Sequence, residues 1–234
     1  MQLPTRPERF ADRNAAGRAL GQLAAAWCAG HSSGKVLVLG LPRGGVPVAA
    51  AVARAVGGDL DVVVVRKIGV PGQPELAMGA VAAVGAPGDG LVEGVVEVVT
   101  NDVVVRRLGI PARVFRAVLD EELVELRRRT VAYRGDRPFP VVAGRTVVVV
   151  DDGLATGSTM RAAAAAVRRQ GPAAVLVAVP VGAPDTCALL RTEVDEVICA
   201  LFPQPFRAVH QGYDDFTQTT DDEVLAALAY DRRG

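Results

Sequence analysis

Aliphatic runs alternate along the chain with stretches of helical length. Runs at 36–39 and 60–65 flank a helical stretch at 46–56, and a helix-forming segment at 15–29 precedes them. Further runs at 145–150, 175–179 and 194–199 are separated by helical stretches at 160–170 and 184–191, and a last helical segment covers 221–230. Such alternation predicts a parallel sheet wrapped by helices. Val147, Val148, Val149 and Val150 follow one another, as suits a strand covered on both faces. Two regions depart from the rhythm. Residues 111–133 read as an amphipathic helix, with Leu119, Leu123 and Leu126 as its apolar stripe and Glu121, Glu122, Glu125, Arg127, Arg128 and Arg129 as its solvated face. Residues 68–94 are rich in glycine and proline with short valine runs, and together with 95–99 they predict a loop plus a β-hairpin projecting from the sheet. No internal repeat or low-complexity linker breaks the chain, so a single domain over 1–234 is the expectation.

Composition narrows the class. Of 234 residues, half are hydrophobic and 22% charged, which is globular and long enough to bury a sizeable core. Lys plus Arg and Asp plus Glu each total 26, so no global field attracts nucleic acid. Charges such as Arg43, Arg54 and Arg66 interrupt every apolar run before the roughly 18 residues of a membrane span. The opening residues lack the apolar core of a signal peptide, and the expected compartment is the cytoplasm. Cys28, Cys187 and Cys199 fit neither a disulfide framework nor a zinc site and read as small core residues. His31 and His210 offer no metal spacing, and His31, in a Gly-Ser loop, reads as solvated. The stretch from Gly30 to Val36 is one residue short of a P-loop and lacks its Ser or Thr, which leaves a helix-to-strand turn.

The chemistry begins where the valine run ends. Asp151 and Asp152 emerge there, at the end where ligands bind in open α/β sheets. Ala155, Thr156, Gly157, Ser158 and Thr159 follow; the glycine lets the backbone approach an anion, and hydroxyls and N–H groups at a helix start can hold a phosphate. Diol, metal and phosphate chemistry thus share one segment. Two other readings compete. Asp-Asp after a strand also opens the receiver domains of two-component signalling, but these need a longer remainder with a late lysine, and the 82 residues after Asp152 contain none. The other is a plain turn in which Thr159 or Ser158 caps the next helix.

The segment VVVVDDGLATGST resembles the phosphoribosyl pyrophosphate (PRPP) signature of type I phosphoribosyltransferases: hydrophobic strand, acidic pair, variable pair, then Ala-Thr-Gly-x-Thr. The resemblance implies a doubly wound, mainly parallel α/β sheet over a core of about 35–200, with a flexible loop and a hood formed from 1–30 and 201–234. It gives Asp151 and Asp152 the ribose hydroxyls and the metal-bound pyrophosphate region, with Mg²⁺ as cofactor held through water or ribose hydroxyls. It gives Ala155, Thr156, Gly157, Ser158 and Thr159 the 5′-phosphate. Gly153 departs from the pattern where many members have an aliphatic residue, and Ser158 where many have a second glycine.

Other residues join this picture. In the stretch from Leu39 to Pro47, Gly44 and Gly45 can expose N–H groups and Arg43 supplies a fork suited to phosphate oxygens; by resemblance this is the pyrophosphate loop, which in the family often carries a strained or cis peptide. Arg66 and Lys67 read as the end of a strand and as candidates for PRPP binding; Lys67 is either a compact charge that grips pyrophosphate or an exposed strand-end lysine. Lysine occurs only at 35 and 67 in a chain with 24 arginines, which makes Lys67 notable. Glu75 is a weaker candidate in the loop that would close over the centre. Phe202, Phe206, Tyr213 and Phe216 are four of the chain's ten aromatics and would either stack on a base or anchor an irregular tail. The expectation is therefore a transferase acting on PRPP and a nucleobase-like acceptor, with Asp151, Asp152, Lys67 and Arg43 as its catalytic set. A protein that senses PRPP or a nucleotide as an effector is the alternative. Homodimerisation is left open, as is the role of His210.

Overall fold

The computed structural model describes residues 8–32, 34–84, 95–135 and 137–230. In chain order, α1 (Arg13–His31) leads to β1 (Leu37–Gly40), α2 (Gly45–Val56) and β2 (Asp59–Val62). Next come β3 (Val64–Val70), β4 (Gln73–Val84), β5 (Val95–Thr100), α3 (Asp102–Arg107) and α4 (Ala112–Arg134). Then follow β6 (Thr146–Val150), α5 (Ser158–Arg168), β7 (Ala174–Val181), α6 (Pro184–Leu190), β8 (Glu196–Leu201) and, after a 3₁₀ turn (Val209–Gly212), α7 (Asp221–Tyr230). No helix among the described residues is long and apolar enough to cross a membrane.

Five parallel strands form the central sheet in the order β2-β1-β6-β7-β8. Helices cover both of its faces, so the strands carry apolar residues at successive positions, and the sequence shows unbroken valine runs rather than alternation. Leu37, Leu39, Val147, Val149, Val175 and Val177 cluster with the alanines of α5. Val38, Val148, Val150, Leu176 and Ala178 cluster with apolar residues of α1, α2, α4 and α7. Gly40, Val150 and Ala178 lie in register, which brings the segments following β1 and β6 side by side at one sheet edge.

α1 starts at Arg13, two residues before the sequence-based start, because the Asp12 side chain accepts a hydrogen bond from Ala15 N at 2.7 Å and caps the helix. Its close approach to α2 rests on two glycines. A Cβ on Gly17 would lie 2.7 Å from Ala51 Cβ, and one on Gly21 would lie 2.7 Å from Ala55 Cβ. Arg13 is thereby carried to the sheet edge.

The aliphatic run at 60–65 is not one strand. Val62 pairs with Gly40 in the parallel sheet, whereas Val64 pairs with Ala83 in a separate antiparallel sheet of order β3-β4-β5. The stretch read as a loop plus hairpin contains most of this second sheet, with Pro71 and Gly72 as the β3–β4 turn; Gly72 adopts φ 77°, a left-handed conformation suited to glycine. Residues 85–94, part of the same expectation, lie outside the described residues. In α4, Leu126 is buried as expected, but Glu122 is not on the solvated face, because it pairs with Arg66 across to β3 at 2.7 Å. All three cysteines are buried. His31 is exposed at the end of α1 and stacks on Trp27 with ring centroids 4.4 Å apart.

Candidate functional site

The site forms where β1 and β6 end. Leu41 N donates to Val150 O at 2.9 Å, which lays residues 41–45 beside the acidic pair. Gly44 and Gly45 are there because nothing larger fits: a Cβ on Gly44 would overlap the Asp152 carboxylate, and one on Gly45 would lie 2.8 Å from Asp151 Cα. The Pro42–Arg43 peptide in this loop is cis. Arg43 is one-third exposed, with Nη1 3.9 Å from Asp221 at the start of α7.

Asp151 and Asp152 are half-buried, and their hydrogen bonds are unequal. Asp151 Oδ1 accepts from Asp152 N at 2.8 Å. Asp152 Oδ2 accepts from Arg13 Nε at 2.9 Å and pairs with Arg13 Nη2 at 2.8 Å. Among the described residues these contacts engage one oxygen of each carboxylate, Asp151 Oδ1 and Asp152 Oδ2. Burial, and then the neighbouring Asp152 charge, hold the Asp151 carboxyl well above the ordinary aspartate range. Asp152 is also raised by burial, with Arg13 opposing the shift.

Residues 154–157 are tied to the junction of β7 and α6. Leu154 N donates to Val181 O at 2.8 Å, Ala183 N to Leu154 O at 2.9 Å, and Thr186 Oγ1 to Ala155 O at 2.7 Å. Gly157 has φ 75° and serves as the N-cap of α5 without any side-chain capping bond. The N-cap of α5 is thus Gly157 rather than Ser158 or Thr159, and the cap position offers no side-chain acceptor to the first-turn N–H groups. Ala155 and Thr156 are exposed, and Ser158 and Thr159 are half-buried at the helix start. Gly153 has a local explanation: a Cβ there would overlap the Val209 side chain of the 3₁₀ turn.

The remaining sequence-based candidates separate. Arg66 and Lys67 lie within β3 rather than at a strand end, and neighbours along a strand point to opposite faces. Arg66 faces α4 and pairs with Glu122, whereas Lys67 pairs in register with Ala80, which clusters with the α5 side of the molecule. The two side chains therefore leave β3 on opposite faces. The side chain of Glu75 lies outside the described residues. Tyr213 is an anchor rather than a stacking surface: it is 2% exposed, its hydroxyl donates to Asp152 O at 2.6 Å, and it packs between Phe10 and Phe216. Phe216 is overlaid by the Arg13 guanidinium, 4.0 Å from its ring centroid. Phe202 and Phe206 are half-buried, on different apolar clusters. His210 is exposed in the 3₁₀ turn.

Sequence reasoning passed over Arg13. The Asp12-Arg13 step reads only as a helix start, and the 139-residue separation between Arg13 and Asp152 hides the contact. A cleft of about 650 Å³ opens beyond it between α1, α2 and α7, with Arg54, Thr217 and Glu223 among its walls. Arg13 lines this cleft but neither aspartate does, so it adjoins the acidic pair rather than containing it.

A family model described as a phosphoribosyl transferase domain matches residues 10–214. Two proteins from strains of Mycobacterium tuberculosis, provisionally named phosphoribosyl transferases, are each 47% identical over 220 residues, covering 94% of this chain and 46% of theirs. The chain thus spans about half the length of the curated relatives it matches. The crystal structure of TT1426 from Thermus thermophilus is 41% identical, with a TM-score of 0.75 over 95% of this chain and 98% of that one.

Proposed function

The chain belongs to the phosphoribosyl transferase family, and from that premise we propose that it transfers ribose 5-phosphate from PRPP to a nitrogenous base with release of pyrophosphate. The observation that carries the reading is the meeting of three groups at one sheet edge: the acidic pair, each carboxylate with a single hydrogen-bonded oxygen among the described residues, the glycine loop at 41–45, and the start of α5 with glycine as its N-cap.

The reaction is a displacement at ribose C1 with oxocarbenium character in the transition state. Asp151 Oδ2 and Asp152 Oδ1 accept from the ribose hydroxyls and face the positive charge that develops on the ring. Thr156, Ser158, Thr159 and the first N–H groups of α5 hold the 5′-phosphate. Arg43 and the backbone of Gly44 and Gly45 receive the leaving pyrophosphate, with Lys67 reaching in from the second sheet. Positioning and electrostatics suffice, and no covalent nucleophile is needed.

The residues present fit Mg²⁺. Two adjacent carboxylates suit a hard cation that keeps several waters and shares ligands with substrate phosphates. No group of three His, Cys, Asp or Glu forms a closed metal site among the described residues. When bound, Mg²⁺ supplies charge neutralisation at the pyrophosphate. Half-buried Phe202 and Phe206 are the aromatics left to border the acceptor.

Calorimetric titration with PRPP and Mg²⁺ tests the assignment. Wild type is expected to bind, and Asp152→Asn to weaken binding by at least about tenfold, the loss of one charge-assisted hydrogen bond. A folded Asp152→Asn variant with unchanged affinity would overturn the role of the pair.

A further inference from the structure

We propose that Arg13 is a positioning residue for this reaction, fixing the Asp152 carboxylate and coupling its orientation to the seating of tail residues 213–217. The proposal rests on the phosphoribosyltransferase reading above. The guanidinium makes three contacts: Nε donates to Asp152 Oδ2 at 2.9 Å, Nη2 forms an ion pair with the same oxygen at 2.8 Å, and Nη1 donates to Thr217 O at 2.6 Å. Both contacts with Asp152 fall on Oδ2, so rotation of the carboxylate would lose them, and Oδ1 is the oxygen without a hydrogen bond among the described residues.

The same tail grips Asp152 a second time. The Tyr213 hydroxyl holds its backbone carbonyl at 2.6 Å, and Phe216 carries the guanidinium on its ring at 4.0 Å. Asp152 is thus held at its backbone by Tyr213 and at its side chain by Arg13, each belonging to one packed group with Phe10 and Phe216. Room for the guanidinium depends on the loop opposite, because a Cβ on Gly44 would lie 3.1 Å from Arg13 Nε. The pair is shielded, with side-chain exposures of 12% for Arg13 and 17% for Asp152. An ion pair that merely joined two elements would need none of this convergence on one oxygen of a carboxylate at the sheet edge. A lysine would supply the charge but not the fork that spans Asp152, Thr217 and the Phe216 ring.

The test is a double-mutant cycle on pyrophosphate release, with PRPP varied at saturating Mg²⁺ and base, for wild type, Arg13→Ala, Asp152→Asn and the double variant. Arg13→Ala is expected to lower kcat/KM for PRPP by roughly 10- to 100-fold, the scale of a misplaced catalytic group. Arg13→Lys is expected to recover only a minor part of that loss. The double variant is expected to be no worse than Asp152→Asn, since a carboxamide leaves Arg13 no charge to orient. A prop for the fold alone would instead give losses that add in full, so full additivity, or an unchanged kcat/KM in Arg13→Ala, overturns the proposal. If Arg13→Ala does not fold, the cycle is run with Arg13→Gln and read by the same criteria. A wild-type protein that releases no pyrophosphate from PRPP with any base, whether or not it binds PRPP, overturns the underlying reading and the proposal with it, and is seen before any variant is made.

Discussion

At the scale of single residues, Asp151 sets stability against function. Its carboxyl is held above the ordinary aspartate range by burial and by the Asp152 charge. A carboxyl raised in the folded state favours the fold while protonated; that contribution is complete below the unfolded value of about 3.9 and is lost as pH rises through the raised one. In metal-free buffer, Asp151→Asn is therefore expected to raise the melting temperature at pH 7–8, to give no such gain below pH 4, and to weaken PRPP binding. Calorimetric scans across that range check the sign, and a variant less stable than wild type at pH 7–8 contradicts it. Gly153 makes a second residue-scale case. Gly153→Ala is expected to destabilise by about 1–3 kcal/mol through overpacking against Val209, and Val209→Ala in the same chain to recover most of the loss. Denaturant titration of the two single variants and the double measures this coupling, and simple additivity would show that the two side chains do not share the space. From sequence alone, Gly153 was only a departure from a motif; its cause lies 56 residues further along the chain.

At the scale of elements, α5 carries the phosphate reading. Its N-cap is a glycine with no side-chain bond, so the hydroxyls at its start are not required for the helix. Thr156→Val is expected to weaken PRPP binding by about tenfold to a hundredfold, the equivalent of a charge-assisted hydrogen bond of roughly 1.5–3 kcal/mol, with little change in unliganded melting temperature. A variant that loses stability yet keeps the full PRPP-induced rise in melting temperature would defeat this role. The elements the sequence made legible were those whose pattern is local. Val147, Val148, Val149 and Val150 could only be a covered strand, and Asp221 to Tyr230 could only be the closing helix. The break between β2 and β3 was not legible, because Val62, Val63, Val64 and Val65 favour strand equally and only their partners, Gly40 on one side and Ala83 on the other, divide them. The same break moves Arg66 and Lys67 from the strand end expected of them into β3, where they face opposite ways.

At the scale of the molecule, α1 and the segment at 213–217 converge on the acidic pair. Arg13 arrives from the N-terminal side on α1, held close to α2 by Gly17 and Gly21, and Tyr213 and Phe216 arrive from the C-terminal tail. The family match ends at residue 214, so Phe216 and α7 lie beyond it. Strands, signature and glycine loop were readable because short-range chemistry specifies them. The meeting of Arg13 and Tyr213 at Asp152 was not, because they lie 139 and 61 positions from it. The most direct measurement is pyrophosphate release from PRPP and Mg²⁺ across a panel of purine, pyrimidine and other nitrogenous bases. Release that depends on one class of base, and that Asp152→Asn abolishes, is the expected result. Tight PRPP binding with no release for any base would contradict a transferase and leave the site as an effector pocket.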